Sequence, residues 1–268
     1  MKRLTTLNTQ RPSFSIADDQ SLSSLHLKVP GSWNEMTQNQ LKYVLWIKTH
    51  FADNDTAKSY ILMRMTGLKP VKKTSKGWLY VVKTQDGKRR YVIIDTQIIA
   101  SMLDQLGYVD SYETMDNRLE VIGGCHAVDT LLHGVRFVDW LNIEKYYQAY
   151  MNTNDEKYIN SLACLLYVDK HGAHPSTLSL TAEEKLGTFM WVSYIKSVFA
   201  YTFPHFFKPS DSDEDLDMRK MMDIQIRALT DGDVTKEQAI FDTDCWRALT
   251  ELDAKARESE EFNRKYNK

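Results

Sequence analysis

The sequence predicts an α+β protein, predominantly α-helical, with a small antiparallel β-hairpin or sheet element. Three observations carry this. Long segments repeat apolar residues at three- and four-residue spacing, the period of a helix that buries one face. Thr37, Thr181 and Thr235 are each followed three residues later by Gln or Glu, a pair that satisfies orphan N–H groups at a helix start. One region, "GWLYVVKTQDGKRRYVIIDT", changes to β-rich runs, and Asp86-Gly87 between them is a strong hairpin signal.

Residues 1–28, rich in Ser and Thr, show no sustained period. They read as a flexible arm with a short strand at "SLHLKV". Pro30-Gly31 makes a turn, and a mainly helical body spans 29–208. After the Thr37–Gln40 pair, Leu41, Val44, Leu45 and Lys48 form the first helical stripe. A second helix, "TAKSYILMRMTG", stops at Gly67. The hairpin follows near 78–95. Asp95 then caps "TQIIASMLDQLG", whose Ile98, Ile99, Met102, Leu103 and Leu106 share a face. "NRLEVIGG" reads as another short strand.

From Val135 the pattern is almost wholly helical. One helix is expected at "RFVDWLNIEKYYQAYMN". Another is expected at "DEKYINSLACLLYVDKHG", with Tyr158, Leu162, Leu165 and Leu166 inward and Gly172 closing it. A third, from Thr181, ends at Pro204. Residues 209–217 read as an acidic linker. Residues 218–268 read as a C-terminal helical pair, its second helix opened by Thr235 and Gln238.

The 268 residues are 43% hydrophobic, enough for a sizeable core. The formal net charge of -2 gives no overall basic excess toward a phosphate backbone. Cys125, Cys164 and Cys245 form no CxxC pair and read as reduced thiols inside a cell. The N-terminus lacks the apolar core of a secretory signal, and no run approaches the ~18 apolar residues of a membrane span. A cytoplasmic protein, or one incorporated into an intracellular particle, is expected, with no membrane partner and no cofactor.

"GGCHAVDTLLHG" (123–134) concentrates the candidate chemistry. On a helix, His126 and His133 stand about 10 Å apart along the axis, too far for one ion whose bonds to nitrogen are ~2 Å. Asp129 and His133 can chelate as a pair but need a third ligand from elsewhere. On a strand, Cys125 and His126 point to opposite faces. A metal- or Cys-dependent enzyme around Cys125 and His126 is therefore the weakest of three readings. His171 and His174 straddle Gly172, where imidazole complements a helix C-terminus. "DSDEDLD" mimics a calcium loop, but Leu216 stands where Gly is needed and Met222 where Glu is needed.

Two surfaces remain. Lys72, Lys73, Arg89 and Arg90 flank the hairpin beside Trp78, Tyr80 and Tyr91, an arrangement that can hold phosphate and stack bases. Nucleic-acid binding or regulation through this hairpin is the alternative function. Aromatics on helices, among them Trp33, Trp140, Tyr146, Tyr150 and Trp246, are the candidates for binding another protein.

One segment also resembles a known class. Residues 133–167 carry Phe137 and Asp139 at a helix start, Asn154-Asp155 at a break and Leu166-Tyr167 at a helix end. This pattern is similar to that of uncharacterised phage and prophage virion-assembly proteins, including tail-assembly-chaperone-like ones. "PGSWNEMTQNQL" and "WRALTELDAKARESEEFNRKYN" resemble proteins of the same elements. The motif covers about an eighth of the chain, and Val135-Arg136 separate Gly134 from Phe137 where the pattern has them adjacent. The resemblance implies a non-enzymatic protein-binding or assembly protein, a chaperone or structural component, with virion or tail components as partners. It carries no site residue.

Overall fold

The computed structural model describes residues 27–83, 87–208 and 218–266. Among them the helices are α1 (Gln38–His50), α2 (Asn54–Thr66), α3 (Thr96–Asp104), α4 (Phe137–Thr153), α5 (Glu156–Leu166), α6 (Ala182–Thr202), α7 (Met218–Thr230), α8 (Glu237–Phe241) and α9 (Cys245–Tyr266). The strands are β1 (Lys69–Thr74), β2 (Gly77–Lys83), β3 (Arg89–Ile94), β4 (Val121–Ile122), β5 (Cys125–Ala127) and β6 (Tyr167–Val168). They form two antiparallel sheets, β1-β2-β3 and β4-β5-β6. The chain is thus α+β and mostly helical, as its sequence predicts. The acidic linker, Asp86 and all but two residues of the N-terminal arm lie outside the described residues. Residues 27–29 of the expected strand have no regular structure.

The chain divides into two units. One holds the residues up to Met36 together with His50–Asp110; the other holds Thr37–Thr49 and everything from Ser111. In the first unit, the Asp53 carboxylate accepts from the Thr56 N–H at 2.8 Å and starts α2. The Asp95 carboxylate accepts from the Gln97 N–H at 2.7 Å and starts α3. Trp33, 1% exposed, meets the Tyr108 ring edge-on. The sheet puts Tyr80, Val82 and Ile94 inside. Strand β1 was hidden in the sequence because five of its six residues are exposed and Pro70 interrupts it; Pro is tolerated on such an edge. Gly77 permits the tight β1–β2 turn: its φ is +135°, and a Cβ there would lie 2.2 Å from the Ile94 carbonyl oxygen.

In the second unit, α1 buries Leu41, Val44, Leu45 and Ile47. Lys48 instead leaves the stripe and lies over the Tyr112 ring. Two expected capping boxes form, Thr37 with Gln40 and Thr181 with Glu184. The third does not. Asp233 captures both the N–H and the hydroxyl of Thr235, while Gln238 turns to Asp242. The expected single C-terminal helix is accordingly broken into α8 and α9, because Asp244 caps a new start by accepting from the Trp246 N–H at 2.9 Å.

The expected helix through residue 172 ends at Leu166, where Tyr167 joins β5 in a sheet. Its buried stripe is Ile159, Leu162, Ala163 and Leu166, so Tyr158 and Leu165 lie at the edge of the face. His171 therefore caps no helix, whereas the His174 Nδ1 lies 3.2 Å from the carbonyl oxygen of Tyr167, the residue that ends α5. Asp169 instead organises that loop, accepting from the backbone N–H groups of His171 and Ala173. The core of this unit centres on α4 and α6, where Trp140 meets Phe199 at 4.8 Å and Trp191 donates to the Thr130 carbonyl at 2.8 Å.

Candidate functional site

The stretch 123–134 begins as a hairpin. Gly123 and Gly124, at φ +58° and +80°, form the two-residue turn between β4 and β5. This conformation needs positive φ at both positions. Cys125 then points inward and His126 outward, the opposed geometry of a strand. They form no nucleophile–base pair. Beyond β5 the chain turns on Asp129, whose Oδ1 accepts from the N–H groups of Leu131 at 2.9 Å and His133 at 3.1 Å. The His133 Nδ1 lies 2.9 Å from the same oxygen. Burial works against the charge of this carboxylate, but the His133 ring and the two N–H groups outweigh it. They hold the Asp129 carboxyl below the ordinary carboxylate range.

Asp129 and His133 thus meet in a turn and not on a helix, and one oxygen of the carboxylate, Oδ1, takes all three bonds. Among the described residues no three His, Cys, Asp or Glu side chains cluster as ligands.

The C-terminal segment closes over this turn. The His133 ring lies parallel to the Trp246 indole, which donates to the Leu131 carbonyl at 2.6 Å. Asp244 accepts from the Gly134 N–H, and two backbone bonds, Cys245 to Val135 and Phe137 to Thr243, run alongside at 2.8 Å each. Arg136 binds Asp139 and reaches Asp242. This clasp holds Leu132 at φ +65° although it is fully buried, a conformation that costs a side-chain-bearing residue roughly 1–3 kcal/mol. Cys245 donates its thiol to the Leu132 carbonyl, and burial pushes that thiol up to about 12. Cys125 and Cys245 are buried, His133 holds the turn, and His126 points outward.

The aromatic candidates fall into distinct places. Trp33 and Trp140 are 1% and 2% exposed, so they are core residues and present no ring to a partner. Trp246 is gripped by His133 on its face and by Phe199 and Phe203 at its edges. Tyr146 lies half-buried beside Tyr158. Of the five, Tyr150 lines an open groove of about 290 Å³, with Tyr112, Met151, Asn154, Leu186 and Phe189.

Helical spacing builds the groove: Tyr147, Tyr150, Met151 and Asn154 follow one face of α4 and its cap, and Leu186 and Phe189 one face of α6. Phe189 stacks on buried Tyr147 at 5.5 Å and meets Tyr112 and Tyr150 edge-on at 5.9 Å each. The Tyr147 hydroxyl is tied to Ser193 at 3.0 Å, so the floor is fixed. Tyr112 and Met151 are 49% and 54% exposed at the rim. The sequence named Tyr150 but missed Tyr112, Met151 and Phe189, which converge only through tertiary packing.

Among the described residues no helix is long and apolar enough to cross a membrane. Comparison of the chain with protein-family models, with curated proteins and with solved structures finds no match.

Proposed function

We propose that this protein is a non-enzymatic binding protein that holds an apolar segment of another protein, in the assembly of a phage-like tail or particle. One observation carries the reading: a preformed groove with exposed Tyr and Met at its rim and a ring stack beneath it. Aromatic and Met side chains are enriched at protein interfaces, and a floor fixed before binding lowers the ordering cost of association. The far end of α9 adds support. Phe262 and Tyr266, 60% and 70% exposed, pair at 4.4 Å on a helix end whose last six residues, 261–266, are all exposed. The assembly class itself rests on the resemblance of residues 133–167.

The test is a photo-crosslinking residue at Met151, with a control at exposed Lys170, in cells expressing the protein with its neighbouring genes. The expected product is one dominant adduct at Met151, with a structural component of a particle, lost when Tyr112 and Tyr150 are changed to Ala. No specific adduct at Met151, or adducts equal to those at Lys170, would overturn the reading.

A further inference from the structure

The β1-β2-β3 sheet carries a second surface, independent of the groove. Residues paired across an antiparallel ladder share a face. Lys69 pairs with Val81 and Val81 with Tyr91; Lys72 pairs with Leu79 and Leu79 with Ile93; Lys83 pairs with Arg89. One face therefore has an apolar centre of Leu79, Val81, Tyr91 and Ile93. Its rim is Lys69 and Lys72 along β1, with Lys83 and Arg89 at one end. The opposite face is the one that buries Tyr80, Val82 and Ile94. The structure thus divides the four basic candidates: Lys72 and Arg89 lie on the open face, whereas Lys73 pairs with Trp78 and Arg90 with Val82 on the other.

Two properties identify the occupant. The first is charge. Residues 69–94 hold eight Lys and Arg and one acidic residue, Asp86, in a chain whose net charge is -2. The four rim cations are exposed and have no ion pair among the described residues. Such a concentration favours a polyanion, since each phosphate neutralised releases condensed counterions. The second is the centre. Tyr91 is 63% exposed and Ile93 44%, so a planar ring lies open among aliphatic side chains inside a cationic rim. A duplex backbone offers no unstacked ring to meet it. An unpaired base does, and stacking on an aromatic tolerates any base.

We infer that the open face of the β1-β2-β3 sheet binds single-stranded nucleic acid, with Tyr91 as the stacking platform and Lys69, Lys72, Lys83 and Arg89 holding phosphates. Binding carries little sequence preference, because the rim reads charge and the ring reads a π-face.

Fluorescence anisotropy of the full chain with a labelled 12-nucleotide single strand, its duplex and heparin tests this across salt concentrations. The single strand should bind most tightly, with an affinity that falls as salt rises. The double variant Lys72→Gln/Arg89→Gln should reduce the salt slope by about 1.4, from ~0.7 per phosphate contact on single strands. Tyr91→Leu should weaken binding about tenfold, and Tyr91→Phe should restore it. All three positions are exposed on the sheet, and thermal melting confirms that each variant folds. No binding at 50 mM salt overturns the inference. So does tighter binding of the duplex, or heparin bound as tightly with Tyr91→Leu without effect.

Discussion

The imidazole of His133 lies flat on the indole of Trp246, with 4.7 Å between centroids and 4° between planes. Residues 113 positions apart are thereby locked face to face. The same indole donates its N–H to the Leu131 carbonyl, two residues before that histidine. The end of the chain is in this way tied to the turn that follows β5.

Replacing Trp246 with Ala removes a ring that also fills the space beside Phe199 and Phe203. The expected loss is roughly 3–5 kcal/mol, toward the lower end because the ring is half-buried. Trp246→Phe keeps much of the packing and loses the hydrogen bond, about 1–2 kcal/mol. Urea unfolding followed by circular dichroism checks both. Equal losses in the two variants would show that packing contributes nothing beyond the hydrogen bond.

Asp129 gives this turn a pH dependence. Its carboxyl is held below the ordinary range in the folded chain, so the unfolded chain takes up the proton first as pH falls. Its stabilising contribution is fully present above the unfolded value of about 4 and is lost as pH falls through the lower folded value. The stability gap between the native protein and Asp129→Asn should therefore narrow on acidification below pH ~4. Melting curves at pH 3 and pH 6 measure it, and a gap that stays constant would remove the assignment.

Cys245 should resist alkylation. Its thiol is buried, bonded to the Leu132 carbonyl and pushed up to about 12, and the thiolate is the reactive form. Iodoacetamide at pH 8 with peptide mass mapping should leave Cys245 unmodified in the folded protein and modify it in urea. Rapid labelling without denaturant would show that the α9 start opens readily.

Gly187 of α6 faces Leu45 of α1 at close range. A Cβ there would lie 2.8 Å from the Leu45 Cδ1 and 3.3 Å from the Leu119 Cδ1, and both leucines are buried. Gly187→Val should destabilise by roughly 1–3 kcal/mol through overpacking. Gly107, with open space around its Cα, is the control for valine substitution. Thermal melting compares them, and a Gly187→Val protein as stable as the native one would mean the leucines repack freely.

Much of the secondary structure was legible because its causes are local. The apolar period of α1, α4 and α6, the boxes at Thr37 and Thr181, the cap at Asp95 and the pairing of β2 with β3 each depend on residues a few positions apart. Local spacing misleads where distant groups compete. Tyr167 leaves its helix because β5 offers strand pairing. Asp233 and Asp244 displace a cap and break a helix at 242–244, where Thr243 also accepts from Phe137 across the chain.

The helical class and most helix starts follow from local spacing alone; that Cys125 and His126 face opposite ways holds only on a strand, and pairing with β4 and β6 makes it one. Which aromatics are available depends on packing between distant segments. Trp33, Trp140 and Trp246 share their residue type with any interface tryptophan, yet packing encloses the first two and grips the third. Tyr112, Tyr150, Met151 and Phe189 become one groove, and Lys69, Lys72 and Tyr91 one sheet face, only when separate segments are brought together. Burial and register are properties of the folded neighbourhood, and no local spacing encodes them.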